Sequence, residues 1–190
     1  MWSAVVDRQG VLCSVIRSDP DAWPGSRSIA IAKASTANDF SNNKLALSTA
    51  NLYSFTQPAN GLTTATSPAG FVSTFPAGSL YGLNNSNPFN PGFQPQGTAV
   101  GGVPGGIITF GGGVALYSNG QVIGGLGVSG DTACADHAIA YRMRAAAHLD
   151  GIPGGLVGSS PGTDNIQYLA LGELPNGAKH PHCIPSDITP

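Results

Sequence analysis

The chain opens on an alternating run, Trp2 to Val6, that sets every second residue on one face of a strand. A polar turn, Asp7 to Gly10, separates it from a second run, Val11 to Ile16, and the pair predicts a β-hairpin. Residues 19–25 are turn formers and predict a loop. Ser26 or Ser28 is then expected to cap an alanine-rich helix that runs to about Phe40. Ala30, Ala34 and Ala37 share one face of this helix, at spacings of four and three. So small a face lets a helix lie close on a sheet.

Residues 41–104 follow a different rule. Leu45 to Leu52 fit one short helix, and the remainder is rich in Asn, Pro and Gly with almost no charge. No clear period runs through it, and so long a stretch without regular structure is unusual inside a compact domain. Phe71, Phe75, Leu80, Tyr81, Leu83, Phe89 and Phe93 argue for an ordered cover, packed on the domain or on a neighbouring subunit. Regular pattern returns at Gly106 to Phe110 and Gly113 to Tyr117, followed by Gln121 to Val128. The Asn119-Gly120 pair between two apolar runs predicts a tight hairpin. Gly124, Gly125 and Gly127 strip the last strand of side chains, so another backbone is expected to approach it closely. Asp131 is expected to cap a helix from Thr132 to His148, and a loop-like tail follows.

Composition sharpens this picture. With 190 residues and 41% hydrophobic content, the chain reads as one domain spanning 1–190. The insertion covers about 41–104 and the tail about 151–190. Only 9% of residues are charged and the net charge is −2, which excludes nucleic-acid binding through a basic patch. The 27 glycines and 15 prolines require much of the chain to be turn and loop. No run approaches the roughly 18 apolar residues of a membrane span. No signal-peptide pattern opens the chain, yet sparse charge and abundant Gly, Ser, Asn and Thr suit a processed exported protein.

The helix after Asp131 carries the candidate chemistry. At 100° per residue, His137, Tyr141 and His148 fall within about 60° of Cys134. Ala135, Ile139, Arg142, Met143 and Ala146 form a second stripe, expected to face the core. Three readings of the first stripe stand. Cys134, in the first helical turn, is a thiol activated beside His137. Alternatively, Cys134 and His137 bind a metal together with His180, His182 or Cys183 of the tail. In the third and favoured reading, Cys134 bridges to Cys183 and ties the tail to the helix, with Cys13 left reduced. Gly125 to Gly130 spells G-x-G-x-x-G, but no βαβ unit follows it, and we read a strand end and a helix cap.

Several strings together resemble the haem-binding family of the GlcG/HbpS type. They are Ala4-Val-Val-Asp7 with Gly10, Arg17-Ser-Asp19 with Pro24-Gly-Ser26, and the helix Ile29 to Ala37. Gly112 to Val114, Gly120 to Gly124, Gly127 to Gly130 and Asp136 to Ala140 continue the series in order. Ala46 to Tyr53 and Cys134 to His137 are similar to a long-looped subgroup that looks exported. The resemblance implies a profilin-like α/β (α+β) fold, an antiparallel sheet flanked by helices with a long loop-rich insertion. It implies a homo-oligomer and a haem or related tetrapyrrole ligand. Family members begin with a helix before the first strand, whereas here the pattern starts on the strand, as in a trimmed or partial chain.

A haem site needs an apolar slot, an axial donor and cations for the propionates. The axial candidates are His137, Tyr141, His148, His180 and His182. Arg17, Arg27, Lys33, Arg142 and Arg144 are the candidate propionate partners. The leading reading is a non-enzymatic haem-binding module that is periplasmic or secreted, with a cytoplasmic location as the alternative. Its rivals are an accessory subunit that kept the fold without ligand and binds a protein partner, and a haem-degrading enzyme.

The insertion's apolar residues, left on a monomer's surface, would make an unusually large exposed patch. The expected outcome is a monodisperse homo-oligomer in light scattering whose insertion resists protease. A monomer cleaved readily within this segment would contradict it.

Overall fold

Both predicted hairpins form, and they join edge to edge in one antiparallel sheet. The computed structural model describes residues 1–57, 101–158 and 160–184. The strands are β1 (Trp2–Asp7), β2 (Leu12–Arg17), β3 (Gly113–Ser118) and β4 (Gln121–Ser129). Their order is β2-β1-β4-β3. The central seam pairs β1 with β4, from Trp2 opposite Ser129 to Asp7 opposite Gly124. In the first turn, the Asp7 carboxylate accepts the amides of Gln9 and Val11, both at 2.9 Å. The second turn is the expected two-residue type, with positive φ at Asn119 (50°) and Gly120 (73°).

Helix α1 (Pro24–Phe40) lies on one face of the sheet, and α3 (Ala133–Ala146) lies on the other. Helix α1 starts two residues before the predicted serine cap, because proline suits the first helical position. Short α2 (Thr49–Leu52) is held by a reciprocal cap between Ser48 and Asn51. At α3 the cap is Thr132 rather than Asp131, its hydroxyl accepting the Ala135 amide at 3.2 Å.

The alanine face of α1 meets the glycines of β4 backbone to backbone. A Cβ on Gly125 would lie 2.1 Å from the Ala34 carbonyl oxygen, and one on Gly127 would lie 2.0 Å from that of Ala30. Around this contact Trp2, Ala4, Val6, Leu12 and Val15 pack on Ala30, Ile31 and Ala34. On the opposite face Val114, Leu116, Leu126 and Val128 pack on Ala140.

Two features differ from expectation. The face of α3 that is buried is the one carrying Cys134, His137 and Arg144, while Met143 is 40% exposed and Arg142 and Ala146 are exposed. Cys134, His137 and Arg144 turn inward because each finds a partner in the tail, out of sight of local periodicity, while His148 stays exposed. The second feature is the insertion, of which residues 58–100 lie outside the described residues. Its flanks are in place: the Leu12 amide donates to the Gly102 carbonyl and the Gly101 amide to the Leu12 carbonyl, both at 2.8 Å, and the Thr36 hydroxyl accepts the Ile108 amide at 2.8 Å.

A methyl group at Gly125 or Gly127 must push α1 off the sheet, because the obstructing atoms are backbone. Overpacking of this kind costs about 1–3 kcal/mol, so Gly125→Ala and Gly127→Ala should each lower the urea midpoint. Gly120→Ala, whose Cβ would meet nothing within 4 Å, carries only the penalty of its positive φ and should cost less.

A cavity between two helix starts and a polar stripe sealed by the tail

At one end of the sheet the loop before α1 and the turn before α3 come together. They border a half-open cavity of about 530 Å³. Met1, Ala22, Trp23, Ile29 and Phe110 supply its apolar wall. Trp23 is 80% exposed at its mouth, unusual for so large an apolar ring. Asp19, Asp21, Asp131 and Asp136 supply carboxylates. The Ser18 hydroxyl holds the Asp19 carboxyl below its ordinary range, so the rim is anionic. Helix α1 begins at this cavity without a side-chain cap. A second, smaller hollow of about 230 Å³ lies beside β1 and β2, lined by Trp2, Ile16, Val128, Ile139 and Met143.

Beneath the larger cavity a buried ion pair passes from one layer to the other. Lys33 of α1 reaches Asp136 of α3 at 2.8 Å and the Val128 carbonyl at 3.0 Å. Its ammonium stands 4.9 Å from the centre of the Phe110 ring. Gly112 makes the passage: a Cβ there would meet the Lys33 ammonium at 2.6 Å and Asp136 at 2.9 Å. Burial pushes Lys33 down and Asp136 up from their ordinary pKa values, and each partner's charge opposes that shift.

The sequence-derived candidates fall in several places. Lys33 and Arg27 are buried, Lys33 in the ion pair above and Arg27 6.0 Å over the Trp2 ring. Arg17 is exposed, donates to the Pro20 carbonyl at 3.2 Å and borders the smaller hollow. Arg142 is exposed. His148 is exposed at the far end of α3, with a φ of 56° that ends the helix. It stands roughly 20 Å along the helix from the larger cavity. Among the described residues, no histidine or tyrosine lines either cavity. Trp23 and Phe110 do line the larger one; Trp23 lay in a turn-rich loop, and Phe110 closes the regular-looking run from Gly106, which forms no strand. The available signal was a tryptophan in a Pro/Gly-rich loop, where no core face explains it.

The other candidates gather where the tail covers α3. Arg144 forms a two-pronged pair with Asp164, at 2.5 and 2.7 Å, and donates to the Ala115 carbonyl. Tyr141 meets the Thr163 hydroxyl at 3.3 Å and lies 6.0 Å from the His137 ring. His137 is fully buried, and its Nε2 accepts the Ile166 amide at 3.1 Å. Its proton therefore sits on Nδ1, which has no hydrogen-bond partner among the described residues. Burial pushes the His137 pKa down to about 4. Cys134 and Cys183 are bonded as a disulfide, and Cys13 is an exposed thiol. His180, 2% exposed, sits against Tyr53 at 4.9 Å, while His182 stacks on Tyr168 at 4.3 Å.

A four-stranded antiparallel sheet between helices, with a cavity at one end, defines an α+β class of domain. The family model described as haem-degrading protein, HbpS-like, matches residues 1–145, and the chain belongs to this family. The chain is 26% identical to Klebsiella pneumoniae protein ORFY, whose crystal structure aligns over 76% of this chain and 72% of that one with a TM-score of 0.50. The crystal structure of a PduOC–haem complex aligns over 76% of each chain, at 28% identity and a TM-score of 0.49. No curated protein matches the chain.

His137 gives a pH dependence with a definite sign. Its folded pKa, about 4, lies below the ordinary 6.5. As the pH falls through that window the unfolded chain binds a proton that the folded chain refuses. Stability is therefore fully present above pH 6.5 and is lost toward pH 4, by up to about 3 kcal/mol. Urea midpoints measured at pH 7 and 4.5 should show this fall. They should show a shallower one in His137→Gln, whose amide keeps an acceptor but cannot titrate.

Proposed function

We propose that the protein binds haem or a related tetrapyrrole as a non-enzymatic module, in the cavity between the starts of α1 and α3. The observation that carries the proposal is the cavity's build. Its volume of about 530 Å³ suits a ligand of this size, and its wall presents Trp23 and Phe110 with Ile29 and Met1. Membership of the HbpS-like family and the haem named in the PduOC complex accord with it.

The residues present fit the macrocycle better than they fit its iron. Aromatic rings can stack on a tetrapyrrole face. The aspartates at the rim repel the propionate carboxylates and turn them toward solvent. No histidine lines this cavity, so the ligand is held by stacking and packing rather than by an imidazole of this chain. Bound haem supplies redox-active iron. Degradation is the second reading, favoured by the description of the family. The expected oligomer, export and any protein partner remain part of this proposal, supported by the uncharged insertion and the composition.

The test is a haem titration followed through the Soret band. Wild-type protein should shift and sharpen the band at one equivalent. Trp23→Ala and Phe110→Ala should each weaken binding about 30-fold, the loss of an aromatic anchor worth about 2 kcal/mol. His148→Ala and His182→Ala should leave it unchanged. No spectral change on titration would favour the accessory-subunit reading. Loss of the Soret band with reductant and oxygen, with release of iron, would favour degradation.

A further inference from the structure

The two cysteines and His180 make a third centre, unconnected with either cavity. The family match ends at residue 145, so His180 and Cys183 lie beyond it and only Cys134 lies within. The structure holds the two sulfurs as a disulfide, and a ring nitrogen of His180 lies within 4.8 Å of both. Among the described residues this is the only group of three His, Cys, Asp or Glu side chains close enough to hold a metal.

Each ligand is already oriented. His180 is buried and its Nδ1 sits 2.7 Å from the Pro181 carbonyl, so Nδ1 carries the proton and Nε2 keeps its lone pair. A histidine that ligates a metal commonly donates its other N–H to a backbone carbonyl in this way. Nε2 faces the Gly111 amide at 3.3 Å, a long and weak contact that an ion can replace. Gly111 in turn lies against Ala133, the neighbour of Cys134. Cys134 occupies the first turn of α3, where the amides favour a thiolate, and its own N–H points at the Cys183 sulfur at 3.1 Å. A tetrahedral zinc ion needs sulfurs about 3.8 Å apart and nitrogen about 3.5 Å from each, given its usual bond lengths. With the disulfide open, small side-chain rotations reach those separations.

We propose that Cys134, Cys183 and His180 form a redox-gated site for a soft divalent metal ion such as Zn²⁺, open when reduced and closed as the disulfide. A dithiol reductant converts the disulfide to two thiols and becomes a disulfide itself. The metal then binds both sulfurs and the imidazole, releasing the two thiol protons. In the reverse direction a disulfide oxidant takes two electrons from the two thiolates. The Cys134–Cys183 bond re-forms, the oxidant leaves as two thiols after taking up two protons, and the ion is expelled. Three protein ligands leave one coordination position for water or a fourth donor.

The test is equilibrium dialysis of the purified protein against Zn²⁺ under argon, with a non-chelating phosphine reductant or without it. Co²⁺ serves as a spectroscopic substitute, because sulfur ligation gives an intense near-ultraviolet charge-transfer band. The reduced protein should take up one equivalent, bound at least 100-fold more tightly than by the oxidised protein. Cys134→Ser and Cys183→Ser should each abolish the charge-transfer band or halve its intensity, with affinity falling at least 100-fold. His180→Ala, which keeps the disulfide partners, should lose 10- to 100-fold in affinity after reduction. Cys13→Ser should bind like wild type. Circular dichroism of each sample reports the fold. Equal uptake by oxidised and reduced protein, or uptake lost with Cys13, would overturn the proposal. So would reduced protein that binds nothing, whether folded or not.

Discussion

The structure hangs on one contact, the backbone of α1 lying on the backbone of β4. Gly125 and Gly127 face the carbonyls of Ala34 and Ala30 with no room for a methyl group between them. Most helices meet a sheet through layers of large side chains. Here the layer is missing, and packing is decided by the absence of atoms. The core is correspondingly made of small residues at its centre, with Trp2, Leu12, Ile31 and Val15 filling the space around it.

That closeness has consequences on both sides of the sheet. It brings Lys33 near enough to pass Gly112 and pair with Asp136 on α3, so the two helices are tied across the end of the sheet. Two charges removed from water stabilise little by themselves, but removing one partner would strand the other. The same junction forms the floor of the cavity, since Asp136 and Phe110 both line it. The cavity wall and the inter-helix tie are therefore parts of a single arrangement. On α3 a second buried pair, Arg144 with Asp164, does similar work for the tail, joining to the domain a segment whose described residues form no helix or strand.

The elements were legible where the physics is local. Alternation and turn chemistry mark both hairpins, and the Asn119-Gly120 turn specifies its own geometry. The spacing of Ala30, Ala34 and Ala37 announces a close-packed helix, and the glycines of β4 announce what it packs on. The inward face of α3 was read from hydrophobicity alone and reversed, because the partners of Cys134, His137 and Arg144 lie 20 to 49 positions away. For the same reason Lys33 was expected to meet a propionate, whereas its partner is a carboxylate 103 residues on. Cys134 and Cys183 were paired correctly since only three cysteines left few choices. The cavity was the least legible part. Its walls come from four separate segments, and no periodicity connects Trp23 with Phe110.

The central seam of the sheet is also its longest-range pairing. Trp2 sits opposite Ser129, so the two hairpins must find each other from opposite ends of more than two-thirds of the chain. Each hairpin forms locally, but a two-stranded ribbon is marginal in water until it gains neighbours. Folding is therefore gated by a late closure and should be slow for a domain of this size. The energetic penalty on the connecting stretch is mild, because closure entropy grows only with the logarithm of loop length. Doubling such a loop costs about 0.6 kcal/mol. A seam closed once, at a nearly fixed entropic cost, lets the stretch between α2 and β3 lengthen without unsettling the sheet it bridges.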